Sequence, residues 1–286
     1  MKKIAMFGIC GKMGVSMTRE LIKEKDMDIC GGFDMFRVGE DIGSVLGCGR
    51  TLGIKVSGSY SDILDLKPGL IIDFTNAQTS FKTAKWAIEN SMDLIVGATG
   101  LSKEELKDIE TAATDKGTSK VFVIPNFSIG AVLMMKVSGM IAKYFDNCEI
   151  IELHHDKKKD APSGTSIFTA ENIANYKVFG DLRLKDGEVE TLEGSRGAFA
   201  DGIHIHSIRL PGYLAHQEVI FGTVGQTLSI RHDSIDRLSF YPGILLAIKK
   251  IECLSNFTCG LDKVIEFYIT IDPWVLIELQ AIITNY

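Results

Sequence analysis

The stretch KIAMFGICGKMG, Lys3 to Gly14, decides how the chain folds. Lys3 to Gly8 is a short run of β-formers that breaks into a glycine turn, and the helix-like SMTRELIKE follows it. Gly8, Gly11 and Gly14 form a GxxGxxG pattern. The commoner dinucleotide spacing would put glycines at the positions held here by Cys10 and Met13. Each glycine has a use: the first permits a tight turn, the second lets backbone approach a pyrophosphate, and the third allows close packing of the helix. The anion then rests on unpaired N–H groups at the positive helix end. Asp34 closes the second strand-like run, MDICGGFD, about 20 residues past the last glycine, where a carboxylate accepts both ribose hydroxyls. A glycine turn with an incidental aspartate is the plainer alternative. Arg37 reads equally as a ligand for a 2'-phosphate and as a solvated surface arginine.

The same rhythm of apolar strand, glycine or polar turn and amphipathic stretch repeats through residue 126, in LIIDFT (Leu70 to Thr75), DLIVGATG and KVFVIPNFS. Near-continuous apolar strands predict a parallel sheet covered on both faces, with ligands at the carboxyl ends of the strands. Beyond Asn126 the character changes. GAVLMMKVSGMIAKYF predicts a long apolar helix and CEIIELHH a strand. After a polar stretch from Asp181 to Gly202, IHIHSIRL, QEVIFGT and QTLSIRH alternate as strands of an antiparallel sheet with one open face. GILLAIKKIECL returns to helical spacing and is expected to pack back on the first domain. The fold class is therefore α/β: a Rossmann-type parallel sheet domain plus an α+β domain with a mainly antiparallel open sheet.

Composition narrows the partners. With 286 residues, 45% of them apolar, the chain can bury the cores of two domains. A formal net charge of −6 provides no basic footprint for a nucleic acid. No run of about 18 uninterrupted apolar residues is present to span a bilayer, and MKKIAMFGIC reads as a first strand rather than a signal peptide, so a cytoplasmic protein with no membrane partner is expected. The six cysteines show no CxxC pair or zinc-like spacing and are expected to be reduced thiols. His204 and His206 lie two apart on a strand, but no third ligand has suitable spacing, so no metal is expected. His216 and His232 default to structural roles, and Cys10 to a small side chain tolerated in the glycine loop.

HHDKKKDAPSGT, His154 to Thr165, gathers two histidines, three lysines and a helix start. On a strand the two histidines point to opposite faces, so at most one faces a given pocket. A lysine run alone is more often a solvated charge cluster. Here it precedes Pro162, whose predecessor must be extended, and Ser163, Gly164 and Thr165, which present backbone donors to an anion. A lysine and a helix N-terminus together suit both carboxylates of a small diacid, with a neighbouring histidine managing a proton.

Taken in order, these motifs resemble those of the dihydrodipicolinate reductase family of bacterial lysine and diaminopimelate biosynthesis. The resemblance runs from Lys3 to Ile265 through GxxGxxG, DFT (Asp73 to Thr75), GATG (Gly97 to Gly100), PNFSIG (Pro125 to Gly130), ELHHxxKxDAPSGT (Glu152 to Thr165) and GQTLSIRHDSIDRLSFYPG (Gly225 to Gly243). It implies NAD(P)H-dependent reduction of 4-hydroxy-tetrahydrodipicolinate, a small cyclic dicarboxylate, to tetrahydrodipicolinate. NADH or NADPH would be held by Gly8, Ile9, Cys10, Gly11, Lys12 and Met13, by Asp34, by Phe74 and Thr75, by Gly97, Ala98 and Thr99, and by Pro125, Asn126 and Phe127. His154 would be the proton donor or acceptor and Lys158 a second donor and substrate ligand, with His155, Ser163, Gly164 and Thr165 against the substrate.

The resemblance also implies a homotetramer assembled through the open sheet. Residues 1–126 and 234–286 are expected to form the dinucleotide-binding domain, and 127–233 the substrate-binding and oligomerisation domain. Asp156 and Lys157 fill the variable middle of the histidine motif, and Glu266 to Tyr286 have no counterpart in the family pattern. The rival readings are a related two-domain dehydrogenase and a non-catalytic nicotinamide-nucleotide sensor. The histidine and lysine loop argues against both, since neither needs so much cationic machinery.

Overall fold

The computed structural model describes residues 1–180 and 189–266. The apolar tail WVLIELQAII and the strand-like FYITI lie outside the described residues. The chain runs β1 (Lys2–Phe7), α1 (Lys12–Leu21), β2 (Met27–Phe33), α2 (Ile42–Leu46), β3 (Val56–Ser57), α3 (Tyr60–Asp65), β4 (Leu70–Asp73), α4 (Ala77–Glu89), β5 (Asp93–Val96), α5 (Lys103–Lys116) and β6 (Val121–Val123). It continues with α6 (Ile129–Ile141), β7 (Asn147–His154), α7 (Gly164–Ala174), β8 (Ala198–Ala200), β9 (Ile203–Arg209), β10 (Ala215–Thr223), β11 (Gln226–Ser234), α8 (Tyr241–Lys250) and β12 (Phe257–Cys259).

Seven strands form one parallel sheet in the order β12-β6-β5-β4-β1-β2-β3. Its strands are apolar throughout because both faces are covered. Ile4, Met6, Ile72 and Phe122 pack into one layer, while Ala5, Phe7, Ile71 and Val121 pack into the other, following the two-residue period of a strand. Phe7 is fully buried and stacks on Phe33 at 4.5 Å. In α1, Gly14, Met17, Thr18 and Leu21 are the buried residues, at the spacing that puts them on one helix face. From β1 the chain first builds outward through β2 and β3, then returns to the other side of β1 with β4. This reversal opens a crevice at the carboxyl ends of β1 and β4.

The second sheet has the order β11-β10-β7-β9-β8. It is antiparallel except for β7 with β9, which run parallel. A purely alternating reading of the three runs does not anticipate that pair. The intervening α7 provides the long crossover that a parallel pair requires. Fully buried Ile150, Val219 and Phe221 face the same core as α6 and α7, whereas Glu218 and Arg231 of the other face pair at 3.3 Å. After the second sheet the chain crosses back through α8, and β12 pairs with β6 at the edge of the first sheet. The elements too short to carry a sequence signal, α2, β3, α3, β8 and β12, are the ones that the hydrophobic pattern missed. Among the described residues, no helix is long and apolar enough to cross a membrane.

Candidate active site

The glycine turn after β1 has the geometry of a cradle. Gly8 has φ +74°, and a Cβ there would lie 2.9 Å from the carbonyl carbon of Phe74. A Cβ on Gly14 would lie 2.1 Å from the Gly8 carbonyl oxygen, so only glycine lets α1 start this close to the turn. Gly11 caps α1 without a side-chain hydrogen bond, and the first-turn amides of Lys12 and Met13 have no partner among the described residues. An anion is the group such amides accept. Asp34 lies beside them: its carboxylate accepts from the Cys10 amide at 2.9 Å and the Phe36 amide at 3.0 Å. Arg37 forks onto Glu40 at 3.1 and 2.7 Å. Burial and the Asp34 charge push the Cys10 thiol up to about 11, so it is a poor nucleophile.

A cavity of about 280 Å³ lies where the two sheets approach each other. Met13, Phe74, Gly97, Pro125, Asn126 and Phe127 line it from the first sheet's loops, and His154, Thr165, Gln217 and His232 from the second sheet and α7. Gly97 is fixed by its neighbours, since a Cβ would lie 2.5 Å from the Phe74 ring and 2.8 Å from the Phe127 ring. Those rings meet edge to face at 5.7 Å. His232 is linked to Ser128 at 3.0 Å, and burial lowers its pKa, keeping the imidazole neutral. His216 binds the Asp233 carboxylate at 2.6 Å.

The structure divides the predicted substrate residues. His154 ends β7 and lines the cavity, with Nδ1 hydrogen-bonded to the Glu152 carboxylate and Nε2 without a protein partner among the described residues. His155 lies past the strand end with Nδ1 buried and unpartnered, and it does not line the cavity. Lys158 also lies outside the lining, with Nζ 2.8 Å from both oxygens of Asp160. Ser163 caps α7 by accepting from the Ser166 amide at 3.2 Å and is buried. Its own amide donates to Glu152 at 3.2 Å, which leaves Gly164 and Thr165 as the first-turn donors of α7.

Glu152, Arg209, Gln217, His216 and His232 were not foreseen. Glu152 is fully buried and also accepts from Arg209 at 2.9 and 2.7 Å. Burial alone would raise its pKa, but the bonds from His154 and Arg209 outweigh that and hold it at about 2, against an ordinary 4.5. A depressed carboxylate pKa contributes stability above the unfolded value and loses it as pH falls through the folded value. We therefore expect on the order of 3 kcal/mol to be lost between about pH 4.5 and 2. Acid titration followed by near-UV circular dichroism checks this, with Glu152→Leu expected to flatten that part of the curve.

The remaining sequence features have structural partners. His206 binds Glu149 at 2.7 Å, His204 lies edge-on to Phe199 at 5.0 Å, and no group of three His, Cys, Asp or Glu that could hold a metal occurs among the described residues. All six cysteines are free.

A parallel doubly wound sheet with a glycine cradle, joined to a second sheet that carries a histidine into the shared cavity, defines a two-domain oxidoreductase of the pyridine-nucleotide class. The chain belongs to the dihydrodipicolinate reductase family: the model of that family's N-terminal part matches residues 2–127, and that of its C-terminal part residues 130–265. It is 43% identical to 4-hydroxy-tetrahydrodipicolinate reductase of Desulfitobacterium hafniense over 93% of this chain and all of the relative. The identity to the reductase of Listeria monocytogenes is 40%, over 92% of this chain and all of that one. Among solved structures, dipicolinate-bound dihydrodipicolinate reductase from Paenisporosarcina sp. TG-14 superposes with a TM-score of 0.81 at 35% identity, covering 93% of this chain and 100% of that one. Amine dehydrogenase from Mycobacterium smegmatis shares the fold at 13% identity and a TM-score of 0.64, covering 89% of this chain and 93% of that one.

Proposed function

We propose that the protein reduces 4-hydroxy-tetrahydrodipicolinate to tetrahydrodipicolinate with NADH or NADPH, releasing water, in lysine and diaminopimelate biosynthesis. The observation that supports this reading is that His154, with Nδ1 held by Glu152, lines one cavity together with the loops that follow β1, β4, β5 and β6. The relatives that carry this name at about 40% identity over nearly the whole chain support it.

The amides of Lys12 and Met13 would hold the pyrophosphate of a dinucleotide, Asp34 its ribose, and the loops of Gly97 and Phe127 its nicotinamide, which would supply hydride. The other residues of those loops, Gly8 to Gly11, Phe74, Thr75, Ala98, Thr99, Pro125 and Asn126, shape the groove. One substrate carboxylate rests on the first-turn amides of Gly164 and Thr165. The other draws Lys158 Nζ off Asp160, with His155 alongside. The 4-hydroxyl leaves as water with a proton from the neighbouring carbon; hydride is then received at the carbon that lost the hydroxyl, and His154 Nε2 delivers a proton to the neighbouring one. Apolar Met13, Phe74 and Phe127 exclude water from that end. NADH is favoured over NADPH, because Asp34 repels a 2'-phosphate and Arg37 is engaged by Glu40.

The cradle makes its own prediction. Gly14→Val forces backbone apart at a 2.1 Å approach, and overpacking of this kind costs about 1–3 kcal/mol. We expect a lower Tm and a large loss of NADH affinity in a fluorescence titration. Of the described residues, 1–126 with 234–266 form the dinucleotide-binding domain and those of 127–233 the substrate domain, whose open sheet face assembles a cytoplasmic homotetramer.

The test follows nicotinamide absorbance while the preceding synthase condenses pyruvate with aspartate semialdehyde in the same cuvette. Oxidation that requires the synthase is expected, faster with NADH than with NADPH. Nucleotide binding without oxidation would overturn the reading in favour of a nucleotide sensor.

A further inference from the structure

A carboxylate with no exposed surface, outside the cavity lining, is bonded to His154. Glu152 and His154 are two residues apart on β7 and therefore share a face of the strand. One Glu152 oxygen binds His154 Nδ1 and an Arg209 nitrogen at 2.9 Å. The other binds a second Arg209 nitrogen at 2.7 Å and the Ser163 amide at 3.2 Å. Arg209 stands directly opposite His154 in the parallel pairing of β7 with β9 and also donates to the Asp160 carbonyl at 2.7 Å. The two Arg209 nitrogens and the Ser163 amide can only donate, which fits an ionised carboxylate, and against such an acceptor the His154 ring nitrogen must be the donor.

We propose that Glu152 is the positioning residue of the reaction: it fixes His154 as the Nδ1–H tautomer and stabilises its protonated form, while Arg209 keeps Glu152 ionised. The proposal rests on the reading of His154 as the proton donor. The consequence follows from donor and acceptor counting. A histidine that releases its Nε2 proton must keep a proton on Nδ1, or it would become an imidazolate. An acceptor-only partner at Nδ1 guarantees that proton, and its negative charge favours the imidazolium that precedes the release. The arrangement also links two parts of the site, since the same carboxylate binds the Ser163 amide at the start of the helix that receives the substrate carboxylate.

Glu152→Gln separates this role from packing, because it preserves shape. Arg209 demands the amide oxygen, so the amide NH2 turns to Nδ1 and forces the proton onto Nε2. Protonation of Nδ1 is then blocked, so the imidazolium that releases the Nε2 proton is disfavoured. We expect kcat to fall by roughly 10²- to 10⁴-fold, the range seen when a buried carboxylate that orients a histidine is replaced by an amide or lost, with the NADH dissociation constant unchanged. The alkaline limb of the pH profile should move to lower pH, because the removed charge favoured the imidazolium. A purely structural role would leave that limb in place.

A second measurement needs no Glu152 variant. In the wild-type protein, 15N-edited NMR of the histidine rings, with His154 assigned by its loss in His154→Gln, should show neutral His154 protonated at Nδ1. Wild-type kcat and an unmoved limb in Glu152→Gln, or an Nε2–H tautomer in the wild-type protein, would overturn the proposal. If Glu152→Gln does not fold, the tautomer decides. If the wild-type protein fails to oxidise nucleotide in the coupled assay, the proposed function falls, and the tautomer still decides the positioning role on its own.

Discussion

Replacing His154 by glutamine is expected to lower kcat by roughly 10²- to 10⁴-fold, the usual contribution of a positioned general acid, while NADH binds as before. His154 lines the cavity with Nε2 unpartnered among the described residues, and its Nδ1 is engaged by Glu152. Glutamine retains polarity and approximate length but has no proton to give at neutral pH. Loss should therefore fall on kcat rather than on the substrate KM, the signature of an interaction made only in the transition state. The check is steady-state kinetics beside a fluorescence titration with NADH. Unchanged turnover would remove the histidine from the chemistry.

Lys158→Ala is expected to lower kcat/KM by roughly 10²- to 10³-fold, the scale for removing one preorganised donor to developing charge, again without weakening NADH. Lys158 rests on Asp160 with both oxygens at 2.8 Å, so an internal carboxylate holds the ammonium that the proposed substrate carboxylate would engage. Asp160→Asn should act in the opposite direction. Half-exposed ion pairs contribute roughly 0.2–1 kcal/mol, so freeing Lys158 should lower the substrate KM by about two- to five-fold. Opposite signs from two residues two positions apart are difficult to explain by unfolding. A rise in KM for Asp160→Asn would mean that Asp160 positions the lysine instead of competing for it.

The cradle was legible because its signal is local. Gly8, Gly11 and Gly14 lie within one turn and the start of one helix, and each is a glycine for a steric reason that a sequence pattern records. Asp34 was legible because the length of one β-α-β step fixes its distance. The same locality made α1, α6 and α8 readable from their apolar spacing. What the sequence hid depends on pairing between distant strands. Arg209 reaches Glu152 through the parallel register of β7 and β9, a pairing that the alternation of the individual runs does not reveal. Ser128 meets His232 across two sheets, and Gln217 joins Ser166 and Thr169 of α7 at 2.8 Å each. His216 and His232 looked structural because nothing nearby in sequence indicates that both line the cavity. Lys158 was read as a site residue from its loop, and the loop itself supplied Asp160 as its resting partner.

The central claim, that hydride and proton meet their substrate in the cavity between Gly97, Phe127, His154 and Thr165, is tested most directly by a crystal structure of the protein with NADH and dipicolinate, a planar analogue of the cyclic dicarboxylate. The expected complex has nicotinamide against Gly97 and Phe127, one carboxylate on the amides of Gly164 and Thr165, the other on Lys158 released from Asp160, and His154 Nε2 facing the ring. A dicarboxylate bound elsewhere, or a nicotinamide too far from it for hydride transfer, would rule this site out.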